Sequence, residues 1–485
     1  MKHSSTSKVA MEVFLCLTFA STSISSFSVP QRTINRKVPL SFRPFRRIHQ
    51  LHASPDEEQE FDKLLEETKL SNAANYLRSH PDLELTRERW NSVFDSIEEA
   101  TATAEENSIN TRREMEFPLL SQSRTEMTNM YKALKDQDHL RLFGSITKEN
   151  MPASGSHTVR PSMLEEISLL SMKALTPKPS NTLLYAGIGV AVVEAIASAT
   201  LGVNLNFLFF LTIAAALADR ILVNGAISEG VVKILSPGTQ SKITRHEAGH
   251  FLCAYILGCP VEGYVLSAWA ALQDARFGAR GVSAGTSFFD PKLSSEISSS
   301  QVTRSSVDRY SIIVMAGIAA EAVKYGRADG GAGDEMALIS FLSSLNGGSS
   351  NPAWNDVTIR NQARWGALQA VLLIREYKEC YDALVDALER GGSLGDCVYA
   401  IEKAGRDYGK APLANPLGYI IEKPGGLEEQ WVTKLPNDPM EEVPVPTMPS
   451  KEEPLDPEKS LETLQEYKDI MKAKLKNIDE QLGKL

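Results

Sequence analysis

Two long apolar runs dominate the pattern of hydrophobic and polar positions along the chain. Thr182 to Thr200 is nearly all Ala, Ile, Val, Leu and Gly, and Leu205 to Val223 repeats this composition with added phenylalanines. Each run is about as long as one bilayer crossing, and the residues between them allow only a tight turn. The pattern predicts a transmembrane hairpin over residues 182–223. A buried core hairpin of a soluble protein is the alternative that run length leaves open.

Charged residues add two details to this hairpin. Glu194 lies inside the first run, where a carboxylate is expected to pair within the hairpin or to mark a pathway. Basic residues precede the first run (Lys173 and Lys178) and lie near the end of the second run or after it (Arg220, Lys233, Lys242 and Arg245), with none in the turn. Both ends of the hairpin are therefore predicted to lie on the same, positively flanked side of the membrane.

Weaker patterns divide the rest of the chain. Residues 54–175 are predicted to form an acidic helical accessory region, and residues 236–405 a mixed, mostly helical domain in which Val261 to Leu266 alternates enough for an edge strand. Residues 406–459 form a Pro-rich acidic linker, and apolar residues at steps of three and four predict a terminal amphipathic helix over residues 460–485. The predicted fold class is mostly α, with α+β possible.

The net charge argues against nucleic-acid binding, and the distribution of charge near the start of the chain indicates a subcellular destination. The net charge of -10 argues against nucleic acid as a partner, because nothing offsets repulsion from phosphates. Residues 13–55 nevertheless contain no Asp or Glu, and Val13 to Ala20 is an apolar run of signal-peptide length. This arrangement is similar to the two-part presequence of proteins bound for the plastids of secondary-endosymbiotic algae, with Phe27 as the aromatic of the cleavage motif. Residues 1–53 are thus predicted to be a bipartite plastid targeting presequence, with a plain secretory signal as the alternative.

The sequence H-E-A-G-H at residues 246–250 carries the candidate chemistry. It lies in a helical pattern that ends near Gly258, so His246 and His250 are one turn apart and point the same way. Two imidazoles can then converge on one Zn²⁺, and two nitrogens plus a carboxylate leave a fourth position for water. Glu247 is rotated from the ligands but close enough to act as a general base.

A third metal ligand is expected where a carboxylate can fold back onto this helix. Asp334 follows a glycine-rich loop, residues 329–333, at the start of a new helical segment. Glycines allow close backbone approach, and a helix gives a ligand a fixed seat. The same position would suit an N-cap residue without any metal role, and these residues alone leave both interpretations open.

These motifs together resemble the peptidase domain of FtsH-type zinc proteases. That family has H-E-A-G-H, then a helix with Gly-x-Ala-Ala-Glu-Glu, then an Asp ligand that opens the next helix; the counterparts here lie at residues 246–250, 316–326 and 334. The resemblance is closest to the plant and algal plastid subgroup that keeps this domain behind a membrane hairpin. Further counterparts of that subgroup are Cys259-Pro260, Asp308-Arg309-Tyr310-Ser311, Asp334-Glu335 and Asn361-Gln362-Ala363-Arg364-Trp365.

The resemblance covers roughly residues 120–405 and carries specific implications. It implies a zincin-type helical peptidase domain over residues 236–405, behind the two-helix hairpin. His246, His250 and Asp334 would be the zinc ligands and Glu247 the catalytic residue. The implied location is a plastid membrane, with the peptidase domain on the stromal side.

Two departures from the family limit this transfer. The loop is offset by one residue, so an ungapped comparison would make Glu335 the third ligand, although Asp334 is preferred. FtsH proteases also carry an ATPase with a Gly-x-x-x-x-Gly-Lys-Ser/Thr phosphate loop, and no such sequence occurs in this chain. The expected peptidase is therefore ATP-independent and acts on flexible segments of plastid membrane or stromal proteins. A partner ATPase or a homo-oligomer is the assembly to expect.

Three functions remain in competition at this point. The first is a membrane-anchored zinc metalloendopeptidase, which the intact His246, Glu247 and His250 favour. The second is a membrane scaffold or assembly factor that kept the fold and lost turnover. The third is an intramembrane protease, which would need the motif inside an apolar span, whereas Lys242 and Arg245 bring charge directly before it.

Overall fold

The computed structural model describes residues 55–110, 122–147, 158–178, 182–223, 225–235, 238–278, 284–346 and 353–410. Most of these residues are helical, which confirms the mostly-α prediction, and two short strands accompany the helices. The predicted presequence, all but the first few residues of the Pro-rich linker, and the predicted terminal helix lie outside the described residues.

The helices and strands follow one another along the chain in a simple order. The first group of helices comprises α1 (Pro55–Glu66), α2 (Leu70–Ser79), α3 (Arg87–Asn110), α4 (Gln122–Asp136) and α5 (Pro161–Ser168). The apolar runs form α6 (Thr182–Leu201) and α7 (Leu205–Leu222), followed by α8 (Ala226–Leu235). The remaining elements are α9 (Thr239–Ile256), β1 (Val261–Val265), α10 (Ala268–Gln273), α11 (Ala275–Gly278), β2 (Gly285–Phe288), α12 (Pro291–Ser298), α13 (Arg304–Tyr325), α14 (Ala332–Ser344), α15 (Asp356–Glu376), α16 (Lys378–Glu389) and α17 (Leu394–Asp407).

Helix α9, which carries the H-E-A-G-H sequence, lies at the centre of the core. Its residues from His246 to Ile256 are all buried, and it packs against α13, α15 and α16. A Cβ at Gly249 would lie 2.5 Å from the carbonyl oxygen of Ala316 and 2.8 Å from the Cβ of Ala320. Glycine on α9 and alanines on α13 therefore let the two helix backbones approach closely, as ridge-and-groove packing of small residues allows.

A two-stranded antiparallel sheet lies beside this core. Tyr264 pairs with Thr286 and Val265 with Gly285, and the register shifts between Val261 and Gly263. The predicted strand Val261–Leu266 corresponds to β1. The carbonyls of its first two residues already have side-chain partners, because Val261 accepts from the hydroxyl of Tyr131 at 2.9 Å and Glu262 accepts from the guanidinium of Arg276.

The region predicted as an accessory segment shares the core of the domain that follows. The Trp90 indole on α3 donates to the carbonyl of Gly395 on α17 at 2.8 Å. Arg124 on α4 forms a buried ion pair with Glu262 of β1, at 2.5 Å between Nε and Oε1. Since removing one partner of a buried ion pair costs several kcal/mol, α4 is held to β1, and α3 is joined to α17 by the Trp90 hydrogen bond.

The apolar runs form two consecutive helices that contact each other. Residue Thr212 of α7 donates its hydroxyl to the carboxylate of Glu194 on α6, so this acidic residue is paired within the hairpin. Among the described residues, α7 is long and apolar enough to cross a membrane, and the apolar part of α6, Tyr185–Leu201, is slightly shorter. Large side chains on both helices are exposed; Phe210 is 70% exposed and Ile221 76%.

The tight contact between α9 and α13 generates the first prediction. Gly249→Ala should destabilise the protein by about 1–3 kcal/mol, because the new methyl group would overlap the Ala316 carbonyl. Chemical unfolding of the purified chain measures this change. Gly230→Ala on α8 is the matched control, since no described atom lies within 4 Å of the added methyl. Equal stability of the two variants would show that the helices are not in close contact.

Candidate metal centre

Three potential metal ligands from two helices meet in one place. The ligand atoms of His246, His250 and Asp334 all lie within 4.8 Å of one another. The Oδ2 atom of Asp334 is 2.9 Å from Nε2 of His246 and 3.5 Å from Nε2 of His250. Ligands on a tetrahedral zinc ion are about 3.3 Å apart, given metal–ligand distances near 2 Å. The group can therefore bind a metal ion with small side-chain movements.

Both imidazoles are oriented by a partner at the nitrogen that faces away from Asp334. The Nδ1 atom of His246 is 2.7 Å from Oε1 of Glu321, and Nδ1 of His250 is 2.7 Å from the carbonyl oxygen of Ile313. Each partner accepts a hydrogen bond, so Nδ1 carries the proton and Nε2 keeps its lone pair for a metal. Hydrogen bonds of this kind fix the tautomer and orientation of metal-binding histidines.

Glu321 also holds the loop that leads to Asp334. Its carboxylate accepts from the backbone N–H of Asp329 at 2.7 Å and from that of Gly330 at 3.2 Å. The side chain of Asp329 forms a buried ion pair with Lys242, one turn before His246 on α9. One carboxylate on α13 thus connects a metal-site histidine to the loop that positions the third ligand.

Glycines on α13 and in the loop before α14 leave room for His246 and for its partner Glu321. A Cβ at Gly317 would lie 2.3 Å from Nε2 of His246, and a Cβ at Gly330 would lie 2.8 Å from Oε1 of Glu321. Gly331 has a φ of +94°, a conformation that strongly favours glycine, and a Cβ there would also clash with Ile318. The loop can therefore turn tightly against the imidazole only because side chains are absent at these positions.

The structure distinguishes between the interpretations of Asp334. Gly331 occupies the N-cap position of α14 and no side chain caps that helix, so the N-cap interpretation of Asp334 is wrong. Asp334 lies in the first helical turn and reaches the two histidines. Glu335, one residue later, is not part of this group of ligand atoms. A helix of 3.6 residues per turn points adjacent side chains about 100° apart, which accounts for the difference.

Glu247 lies beside the ligands but makes different contacts. Its carboxylate accepts a hydrogen bond from the hydroxyl of Thr286 on β2, at 3.0 Å from Oε2. Burial raises the pKa of Glu247, although the neighbouring histidines, His250 more strongly than His246, act to lower it. A carboxylate with a raised pKa is a better proton acceptor near neutral pH.

The three ligand side chains are coupled electrostatically without a metal. Burial acts to lower the pKa of His246, but its hydrogen bonds to Asp334 and Glu321 outweigh burial and raise it well above 6.5. The pKa of His250 is also raised, because the charge of Asp334 outweighs burial. Burial acts against ionisation of Asp334, yet the two imidazoles, His250 first, hold the pKa of Asp334 below its usual range.

The donor set fits a divalent metal. Two neutral imidazoles and one carboxylate match the ligands of catalytic zinc sites. The side chain of Asp334 is 31% exposed, against 11% for His246 and 10% for His250. The carboxylate side of the group is therefore the more accessible one, where a further ligand can enter.

Sequence reasoning identified His246, Glu247, His250 and Asp334, and the structure brings all four together. It assigned no role to Glu321 or Thr286. Glu321 lies in the Ala-Ala-Glu helix that contributes to the family resemblance, which is a signal that could have indicated it. Thr286 lies in no motif, and only the pairing of β2 with β1 places it beside Glu247.

Comparisons with protein-family models, with curated proteins and with solved structures give no match to this chain. The residues of the site therefore provide the argument for function.

The second prediction separates the two acidic residues of α14. Asp334→Asn should greatly weaken metal binding, because a neutral amide is a poor replacement for a ligand carboxylate. Glu335→Gln removes the same charge one residue away and should leave binding unchanged. Isothermal titration of the chelator-treated protein with Zn²⁺ measures both affinities. A larger loss in Glu335→Gln would reassign the third ligand.

The third prediction concerns pH. In the metal-free protein, the pKa values of His246 and His250 are raised. They therefore stabilise the fold at pH values below 6.5, the pKa of a histidine in the unfolded chain. This contribution to stability is lost as the pH rises through the pKa values that the two histidines have in the folded protein. Unfolding midpoints in chelator should thus fall as the pH rises above 6.5. With saturating Zn²⁺ the fall should disappear, because metal binding requires neutral imidazoles. A pH profile unchanged by His246→Ala would contradict this account.

Proposed function

We propose that the chain is a membrane-anchored, ATP-independent zinc metalloendopeptidase that hydrolyses peptide bonds of plastid membrane or stromal proteins. One observation carries the proposal. His246, His250 and Asp334 meet as three ligands, while a fourth acidic group, Glu247, is held beside them by Thr286 and is not one of them. A site that only stabilised the fold would have no need for that additional buried carboxylate.

Three protein ligands favour a catalytic rather than a structural metal. Structural zinc sites are closed by four protein ligands, whereas catalytic sites keep one position open. When bound, zinc lowers the pKa of a coordinated water and polarises the substrate carbonyl. His246, His250 and Asp334 would hold the ion, and their partners Ile313 and Glu321 keep the imidazoles in the required orientation.

Glu247 supplies the proton-transfer step. It takes a proton from the attacking water as the water oxygen adds to the peptide carbonyl, and it gives that proton to the leaving amine as the C–N bond breaks. The hydrogen bond from Thr286 fixes one carboxylate oxygen, which leaves the other free to accept the proton. The raised pKa of Glu247 brings its basicity closer to that needed at neutral pH.

Strand β2 is the better candidate for holding an extended substrate. The predicted edge strand, β1, is a poorer candidate for binding a peptide by β-addition, because two of its carbonyls are occupied by Tyr131 and Arg276. Strand β2 carries Thr286, which contacts Glu247 directly. A peptide that added to β2 would run past the general base, with backbone hydrogen bonds providing affinity.

The substrate must be flexible, because the chain has no phosphate loop and so no motor of its own. Extended tails or loops can enter the site without unfolding. A folded substrate would need a partner ATPase. We place this activity at a plastid membrane, with the peptidase domain in the stroma; the resemblance of residues 1–53 to a plastid presequence and the apolar runs over residues 182–223 support this proposal.

The fourth prediction separates an enzyme from a scaffold. Glu247→Gln should keep metal content and folding, because Glu247 is not a ligand and the amide is nearly isosteric. Peptide cleavage should fall by at least ~10²-fold, as expected for loss of a general base. Digestion of a peptide library with mass-spectrometric readout measures this. A variant as active as the wild type, or one fully competent in complementation of a deletion, would reject the peptidase function.

The fifth prediction concerns anchoring. The full chain should stay with membranes in alkaline carbonate, because α6 and α7 expose apolar side chains along their length. Deletion of residues 182–223 should release the rest of the chain. Complete release of the intact chain would contradict anchoring, as would protease protection of only one of the regions 54–175 and 236–405.

A further inference from the structure

One buried carboxylate of the sheet has no part in the proposed proton transfer. Glu262 on β1 is 1% exposed, and its Oε1 atom lies 2.5 Å from Nε of Arg124 on α4. Its other oxygen, Oε2, accepts a hydrogen bond from the hydroxyl of Ser287 on β2 at 2.7 Å. Ser287 is itself 2% exposed. A single carboxylate therefore joins α4 to both strands of the sheet.

The backbone of β1 is held at the same place. The guanidinium of Arg276 donates to the carbonyl of Glu262, and its Nη2 atom lies 2.6 Å from Oδ2 of Asp274. A Cβ at Gly263 would lie 2.5 Å from Nη1 of Arg276, so the arginine packs directly against the strand. The side chain and the carbonyl of Glu262 thus both have charged partners, and hydrogen bonds to charged groups are the stronger ones.

Strand β2 contacts the proposed general base with its other face. Successive side chains of a strand point to opposite faces, so Thr286 points away from the face on which Ser287 lies. The hydroxyl of Thr286 lies 3.0 Å from Oε2 of Glu247 and 3.2 Å from the carbonyl oxygen of the same residue. Strand β2 is thus held between Glu262 on one face and Glu247 on the other.

Pairing of the two strands by itself fixes β2 only weakly. The strand has four residues, Gly285–Phe288, and its pairing with β1 shifts register between Val261 and Gly263, next to Glu262. A two-stranded ladder is marginally stable by itself, and a bulge interrupts the ladder locally. Catalytic groups must be held to within about 0.5 Å. The bond from Ser287 to a charge-paired carboxylate supplies a constraint that the short ladder lacks.

We infer that Glu262 and Ser287 are positioning residues of the proposed peptidase. Glu262, held by Arg124, fixes Ser287 and so fixes β2. Strand β2 in turn places the Thr286 hydroxyl on Glu247. The inference rests on the proposed function and extends it to α4, a helix outside the predicted peptidase domain, which supplies the countercharge of Glu262.

A purely structural ion pair would behave differently. Loss of a contact to it would lower the free energy of unfolding and leave the folded protein as active as before. A positioning role instead lowers kcat, because the base is misplaced in the transition state, while substrate binding and the zinc ligands are untouched. Kinetics of the folded protein therefore separate the two roles.

Ser287→Ala in the full chain tests the inference, because it removes the bond to β2 and leaves the Glu262–Arg124 ion pair in place. The substrate is a peptide that the wild type cleaves in a library digest. We expect kcat to fall roughly tenfold, since misplacement by about 1 Å can cost ~10²-fold. The KM for the peptide and the affinity for Zn²⁺ should not change.

Ser96→Ala on α3 is the matched control. Ser96 is 6% exposed and donates to the carbonyl of Leu65 on α1 at 2.9 Å, so this variant also loses a buried hydroxyl bond. It should unfold at a denaturant concentration similar to that of Ser287→Ala, and it should keep the kcat of the wild type.

A double-mutant cycle tests the route through Thr286. Thr286→Ala should also lower kcat. Adding Ser287→Ala to it should lower kcat by less than about twofold more, because Ser287 acts only by placing the Thr286 hydroxyl. Losses that multiply in the double variant would overturn the inference.

The remaining outcomes distinguish the inference from the proposed function. Unchanged kcat in Ser287→Ala, with the loss of stability seen in Ser96→Ala, overturns the inference and leaves the peptidase function standing. A rise in KM alone also overturns it, since β2 would then serve only the substrate. A wild type that cleaves no faster than Glu247→Gln rejects the proposed function together with the inference.

Discussion

The close crossing of α9 and α13 is the constraint on which the metal centre depends. Gly249 lets α9 reach the backbone of α13, and Gly317 lets α13 reach the ring of His246. At this separation Glu321 and the carbonyl of Ile313, both on α13, can bond to the two histidines of α9. A methyl group at Gly249 would push the two helices apart, and a methyl group at Gly317 would displace the imidazole of His246.

The loop between α13 and α14 also connects the candidate metal centre to the segment that precedes the hairpin. The Ala328 N–H donates to the carbonyl of Ala174 at 2.7 Å, and the Lys178 N–H donates to the carbonyl of Ala328 at 3.3 Å. The segment just before α6 is thus bonded to the residue next to Asp329, whose N–H is held by Glu321. The chain entering the hairpin therefore packs against the loop that positions the third ligand.

Local chemistry made part of this site predictable from the sequence. Helical spacing alone places His246 and His250 on one face, and a glycine-rich loop before Asp334 indicates a carboxylate that can fold back. The apolar runs likewise gave the helix limits of α6 and α7 to within a residue. The choice of Asp334 over Glu335 depends on where α14 begins, and Gly331 in its left-handed conformation decides that.

Other features depend on contacts between distant parts of the chain. Glu321 lies 75 residues from His246, and Thr286 lies 39 residues from Glu247. No spacing rule predicts such contacts, because they result from how α13 and β2 pack against α9. For the same reason the alternating pattern of β1 indicated an edge strand but not that Tyr131, from a distant helix, occupies one of its carbonyls. Similarly, the sequence pattern indicated acidic helices in residues 54–175 but not the buried ion pair between Arg124 of α4 and Glu262 of β1.

The central claim is that three side chains hold a metal and leave one position for chemistry. X-ray absorption spectroscopy of the zinc-loaded full chain tests it directly. The account predicts two imidazole nitrogens and two oxygens at about 2 Å, one oxygen from Asp334 and one from water. Addition of a hydroxamate, which binds open zinc sites through two oxygens, should then change the spectrum. Four protein ligands, with a spectrum that does not change when hydroxamate is added, would contradict the account. Failure to bind stoichiometric zinc would contradict it as well.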